Sequence, residues 1–219
     1  MVPFVDIHTH TANMSKKTVS IQNVLPKDYP IVQQSNFSLG FHPWYLDEKE
    51  FDLIESIFEE PLKNINMLAI GEAGLDKICN VDFSLQLKYF EKQIQISEQF
   101  KKPLIIHCVK AFNEIIQLKK LFKPRQSWII HGFNKNEETA QQLMKNDIKL
   151  SFGADLLKSK KLQTLLKGND FKNIFLETDD RDVSIEKIYI FAAGLKECSL
   201  EEFKQQIYGN FKTIFGDIF

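Results

Sequence analysis

The residues best suited to chemistry stand at the ends of short apolar runs. Phe4 to His10 reads FVDIHTH, which places Asp6, His8 and His10 at two-residue spacing. Side chains of a β-strand alternate faces, so these three would point the same way. Two imidazoles side by side at a strand end make half of a metal-binding claw. The chain has five histidines, and the other three are placed alike: His42 follows FSLGF, His107 ends PLIIH and His131 ends SWIIH. Two carboxylates behave the same way, Glu72 after MLAIG and Asp179 after NIFLET. Imidazoles mixed with carboxylates suit zinc, manganese or iron, and magnesium less well. A catalytic zinc uses about three protein ligands and a water. Four imidazoles and two carboxylates exceed that, so two divalent ions (zinc, manganese or magnesium) are expected, with Glu72 able to bridge them.

Eight candidate strands must position these groups. They are FVDI at the start, Thr18 to Val24, Phe37 to Phe41, Met67 to Gly71, Pro103 to His107, Ser127 to His131, Ile148 to Phe152 and Asn173 to Thr178. Most are continuous hydrophobic runs, as strands covered on both faces by helices are. Helical patterns lie between them: Asp47 to Glu59, Phe83 to Lys101, Phe112 to Phe122, Glu137 to Asn146, Leu156 to Lys167 and Ile185 to Lys196. A final pair, Leu200 to Tyr208 and Asn210 to Phe215, closes the chain. Strands alternating with helices predict an α/β fold of the (β/α)8, TIM-barrel type, in which strand ends converge on one catalytic face. The stretch from Thr9 to Lys17 is too short for the usual crossover helix, so the barrel is expected to lack its first helix. Leu25 to Asn36, with two prolines, reads as irregular. No repeat or linker interrupts the 219 residues, which predicts one domain over 1–219.

Composition excludes several classes. Hydrophobic residues make up 43% and charged residues 26% of the chain, an ordinary globular balance. A net charge of −1 gives no global basic field for binding nucleic acid non-specifically, but leaves room for an enzyme that grips a strand end. Three separated cysteines form neither a disulfide framework nor a CxxC zinc site. Without a signal-peptide pattern or a membrane-length apolar run, a cytoplasmic protein is expected, with no membrane and no obligate protein partner.

The stretches FVDIHTH, GFHPWY, IGEAGLDK, PLIIHC, IIHGF, FLETD and NFKTIF together resemble the TatD family of metal-dependent hydrolases, in the family's order and over nearly the whole chain. The resemblance implies a TIM barrel and a metal-dependent deoxyribonuclease, of 3′→5′ exonuclease type, acting on a DNA strand end. It maps His8, His10, Glu72, His107, His131 and Asp179 onto the family's metal ligands and His42 onto a histidine facing the substrate phosphate. Asp76 and Asp6 are then orienting residues. Catalysis is expected from Asp179, as ligand and proton acceptor, with Glu72 and His42; substrate contacts are expected from His42, Lys110, Trp44 and Tyr45. The chain departs from the family at Val109 and Thr213, where arginine is common, and at Asp180 and Arg181, where proline is usual. A phosphate clamp is therefore lost or moved to Lys110, Lys77 or Arg181. Two rival readings are a hydrolase of a small ester, lactone or amide, and a non-enzymatic metal-binding protein.

Overall fold

Every predicted strand forms, because each run is rich in β-branched and aromatic side chains that pack on a pleated surface. The computed structural model describes residues 2–11, 15, 17–31 and 35–216. The strands are β1 (Phe4–Thr9), β2 (Thr18–Val24), β3 (Phe37–Leu39), β4 (Met67–Asp76), β5 (Leu104–Val109), β6 (Trp128–Ile130), β7 (Ile148–Phe152) and β8 (Ile174–Leu176). They follow one another in chain order in one eight-stranded sheet. The pairs β1–β2, β3–β4, β4–β5 and β7–β8 are parallel. A parallel bridge between Thr9 and Asp179 joins the ends of the first and last strands. That order is the nearly closed (β/α)8 barrel read from the sequence.

The helices are α1 (Ile54–Glu59), α2 (Phe83–Phe100), α3 (Phe112–Phe122), α4 (Glu137–Lys145), α5 (Lys160–Gly168), α6 (Ile185–Leu195) and α7 (Leu200–Phe215). Asp82 starts α2 by accepting the Ser84 and Leu85 N–H groups, and Ser199 with Glu202 forms a capping box for α7. The β1–β2 connection contains no helix among the described residues; 12–14 and 16 lie outside them. Among the described residues of the next connection, the 3-10 turn Pro26–Ile31 is the only helical element. No helix among the described residues is long and apolar enough to cross a membrane.

Several element boundaries differ from expectation. β4 continues past Gly71 to Asp76, so Glu72 lies inside a strand rather than after it. Its extension is held by pairing of Ala73 to Asp76 with Ile106 to Val109. Gly74 permits this approach, since a Cβ there would lie 2.0 Å from the His107 carbonyl oxygen. The last two helices are one, α7, because Phe203, Ile207 and Phe211 form an unbroken buried stripe across Gly209. Asp47 to Glu59 divides into the 3-10 turn Glu48–Leu53 and α1, while Leu156 to Lys167 divides into Ala154–Leu157 and α5, which Ser159 caps.

Contacts divide the chain into two compact units, one of Met1–Gln22 with Ile130–Phe219 and the other of Asn23–Ile129. In the first, the Tyr189 hydroxyl accepts from the Val5 N–H and donates to the Val5 carbonyl, both at 3.0 Å. Burial pushes its phenol pKa upward, and the bonds to β1 keep the group paired. In the second, Phe41, Phe58, Tyr89, Phe90 and Trp128 build an aromatic core.

Candidate metal centre

Each unit carries its own cluster of imidazole and carboxylate groups. In the first, β1 delivers His8, fully buried, and the residue just past its end is His10, half exposed. Asp179 is laced to this strand by its backbone: its N–H donates to the His8 carbonyl at 2.9 Å and its carbonyl accepts from the His10 N–H at 3.0 Å. Asp179 Oδ1 then lies 3.5 Å from His8 Nε2 and 3.4 Å from His10 Nε2. The ring of His131, just past the end of β6, lies 4.2 Å from the His8 ring and is tilted 42° to it. Ligand atoms of His8, His131 and Asp179 all lie within 4.8 Å of one another. Burial opposes ionisation of Asp179, but hydrogen bonds from His10 and His8 and the nearby His131 outweigh it and hold the carboxyl well below the usual range.

Two further carboxylates support this cluster. Glu177 is completely buried; its Oε1 accepts from the Gly132 N–H at 2.5 Å and lies 3.5 Å from His131 Nδ1. Such a carboxylate beside one ring nitrogen helps fix the orientation of an imidazole. Asp6 accepts from the Thr178 N–H at 3.0 Å and the Thr178 hydroxyl at 2.7 Å. Its burial, opposed by those bonds and aided by the charge of Glu177, raises its pKa to about 7.

In the second unit Glu72 is the hub. Its Oε1 lies 3.0 Å from His42 Nε2 and 2.8 Å from His107 Nδ1. Asn23, on β2, holds the rest of Glu72: its amide donates to Oε2 at 3.2 Å and its carbonyl accepts the Glu72 N–H at 3.0 Å. Asp76 Oδ2 lies 3.2 Å from His107 Nε2 and accepts from Trp44 Nε1 at 2.6 Å. Although burial opposes it, the Trp44, Ile78 and His107 bonds hold the Asp76 carboxyl below its ordinary value. His42 Nδ1 accepts the Trp44 backbone N–H at 3.1 Å, so a neutral His42 carries its proton on Nε2, directed at Glu72. Ligand atoms of His42, Glu72 and His107 also lie within 4.8 Å of one another.

Both donor sets fit a divalent ion of the zinc or manganese kind: nitrogen and carboxylate oxygen converge, and outer carboxylates orient the imidazoles. All six predicted ligands fall within groups of donor atoms that lie within 4.8 Å of one another. The predicted substrate residues are more dispersed. Trp44 is half exposed, but its indole is anchored to Asp76. Tyr45, 62% exposed, lines a cavity of about 470 Å³ with Leu25, Pro26, Phe41, His42 and Ile57. Lys110 is exposed on the turn after β5, with φ +54°. Lys77 is paired with Glu114 at 2.6 Å and Arg181 with Asp180 at 3.4 Å, which offsets both positive charges. Arg181 also borders a polar cavity of about 700 Å³ shared with Asp6, Thr9 and Asp179.

Sequence reasoning missed Glu177 and Asn23. For Glu177 a signal existed, since it stands two residues before Asp179 in FLETD; for Asn23 none did.

The TatD related DNase family model matches residues 8–216. An uncharacterized metal-dependent hydrolase of Haemophilus influenzae is 24% identical over 83% of this chain and 82% of its own. One from Buchnera aphidicola is 29% identical over 82% and 73%. The human 3'-5' RNA nuclease TATDN2 is 31% identical over 53% of this chain and 16% of its own length. Among solved structures, the TatD homolog YJJV from Escherichia coli superimposes with a TM-score of 0.83, covering 98% of both chains at 18% identity. An uncharacterized amidohydrolase from Saccharomyces cerevisiae gives 0.75 at 13% identity, covering 98% of this chain and 100% of its own. At such identities the structural likeness speaks of fold alone.

Proposed function

Because the chain belongs to the TatD-related DNase family and is a metal-dependent hydrolase, we propose that it cleaves DNA phosphodiester bonds, releasing nucleotides from a 3′ strand end with two divalent ions. The observation that carries this reading is the gathering of imidazoles around a carboxylate in each of the two units. His8, His10, His131 and Asp179 would hold one ion, and Glu72 with His107 the other. Such ions supply Lewis-acid polarisation of the phosphoryl oxygens and bring the pKa of water toward ~7.

The protein's own groups do the rest. Asp179, placed at the strand end beside His8 and His10, accepts the proton of the attacking water. His42 donates its Nε2 proton, to Glu72 at rest and to a non-bridging phosphate oxygen when substrate is bound. Glu177 and Asp76 hold His131 and His107 in place. Tyr45 offers a ring face to the terminal base over the cavity beside His42, and Lys110 supplies a positive charge to the phosphate.

Purified protein given single-stranded DNA with Mn²⁺, Mg²⁺ or Zn²⁺ should release nucleotides from the 3′ end. An RNA strand of the same sequence measures sugar preference. Asp179→Asn should lower turnover at least about 100-fold with the fold intact. No degradation with any of these ions would overturn the nuclease reading. A second reading, hydrolysis of a small ester or lactone, is favoured by the pairing of Lys77 and Arg181 with carboxylates, which weakens any phosphate clamp. An ester and lactone panel run beside the DNA separates the two.

A further inference from the structure

Helix α2 carries two glutamines, Gln86 and Gln93, a heptad apart and therefore on one face. Both are buried, 1% and 0% exposed. A primary amide in a core helix is costly unless its polar atoms are paired, and a leucine or methionine would fill the space more cheaply. Here each amide closes a two-bond ring with the backbone of one residue. Gln93 Oε1 accepts the Phe41 N–H at 2.8 Å while its Nε2 donates to the Phe41 carbonyl at 3.2 Å. Gln86 Oε1 accepts the Asp76 N–H at 2.7 Å while its Nε2 donates to the Asp76 carbonyl at 3.0 Å. Remaining donor capacity goes to the Tyr89 carbonyl for Gln93 and to the Val81 carbonyl and Cys79 Sγ for Gln86. Since a backbone N–H only donates, these contacts also settle which end of each amide is oxygen.

The two gripped residues lie where the sheet runs out. Phe41 follows the end of β3, and Asp76 is the last residue of β4. Each glutamine thus acts as a substitute strand neighbour, meeting the N–H and carbonyl of one residue as a paired strand would. What they hold is chemically specific: Phe41 leads directly into His42, and the Asp76 side chain meets Trp44 and His107.

We infer that Gln93 and Gln86 are positioning residues for the Glu72 cluster, Gln93 aiming His42 and Gln86 aiming Asp76. The inference rests on the reading of that cluster as a metal and phosphodiester site. Its test has one arm that needs activity and one that does not. Gln93→Met and Gln86→Met remove the amide bonds at nearly constant volume. Each is made alone and in its partner's background, His42→Ala for Gln93 and Asp76→Ala for Gln86. Rates on bis(p-nitrophenyl) phosphate with Mn²⁺ form the first arm; calorimetric titration with Zn²⁺ forms the second.

Each methionine variant should cut kcat about tenfold with KM little changed, and weaken Zn²⁺ binding about tenfold, as loss of outer orienting contacts does. In the partner's background the same substitution should add less than twofold, because the group it acts through is gone. Effects that multiply in both arms would show a merely structural role and overturn the inference. If wild-type protein hydrolyses no diester, the nuclease reading fails while the Zn²⁺ cycles still decide this one. Should a methionine variant not fold, Gln93→Glu replaces it: a carboxyl regains the donor to the Phe41 carbonyl only when protonated. Its Zn²⁺-binding deficit relative to wild type should then shrink as pH falls, and a deficit independent of pH would overturn the assignment.

Discussion

Asp6→Asn should remove a pH dependence of stability that burial builds into the chain. Asp6 is 2% exposed, and its pKa is raised from 3.8 to about 7, chiefly by desolvation. Between those values the folded state holds a proton that the unfolded state has released. Stability from this group is therefore fully present below pH 3.8 and is lost as pH rises through about 7. The separation of about three pH units amounts to about 4 kcal/mol, a large share of the stability of a domain. Asparagine fits the site: its oxygen accepts the Thr178 N–H, and its amide donates to the Thr178 hydroxyl, which can turn toward Thr9. The assay is urea denaturation of both proteins in chelator from pH 4 to 8, with the two curves subtracted so that histidine titrations cancel. Wild type should lose up to about 4 kcal/mol relative to the variant over this range, with a slope approaching 1.4 kcal/mol per pH unit. A flat difference curve would refute the claim that Asp6 enters the fold protonated.

Three other outcomes follow from single contacts. Gly74→Ala places a Cβ 2.0 Å from the His107 carbonyl at φ +151° and should destabilise by at least about 4 kcal/mol, whereas Gly209→Ala, in open space on α7, should stabilise by up to about 1 kcal/mol; thermal melts compare them. Trp44→Phe deletes the 2.6 Å bond to buried Asp76 and should cost about 1–3 kcal/mol in urea denaturation. Tyr45→Ala should raise KM for single-stranded DNA roughly tenfold with kcat held, read from initial rates; an unchanged KM would remove Tyr45 from the substrate path.

The order of strands, most helix boundaries and the residue types able to bind metal were legible in the chain, because hydrophobic period and spacing are local properties. FVDIHTH by itself places His8 and His10 on one face, and IGEAGLD by itself carries the carboxylate of Glu72 and the glycines that allow close backbone approach. What lay beyond reach was pairing between distant segments. Nothing local tells that β4 runs on to Asp76, since only the register with β5 holds Ala73 to Asp76 extended. Nor does the chain say that Glu177 reaches His131, that Asn23 holds Glu72, or that Gln86 and Gln93 reach back to Asp76 and Phe41. Even the proton on His42 depends on a backbone N–H two residues away and a carboxylate thirty residues away. The sequence by itself determined which groups can bind metal and that strands, or the residues just after them, carry them. Tertiary structure alone decided which imidazoles gather around which carboxylate and which buried amides and carboxylates orient them, because those contacts exist only once distant segments are packed together.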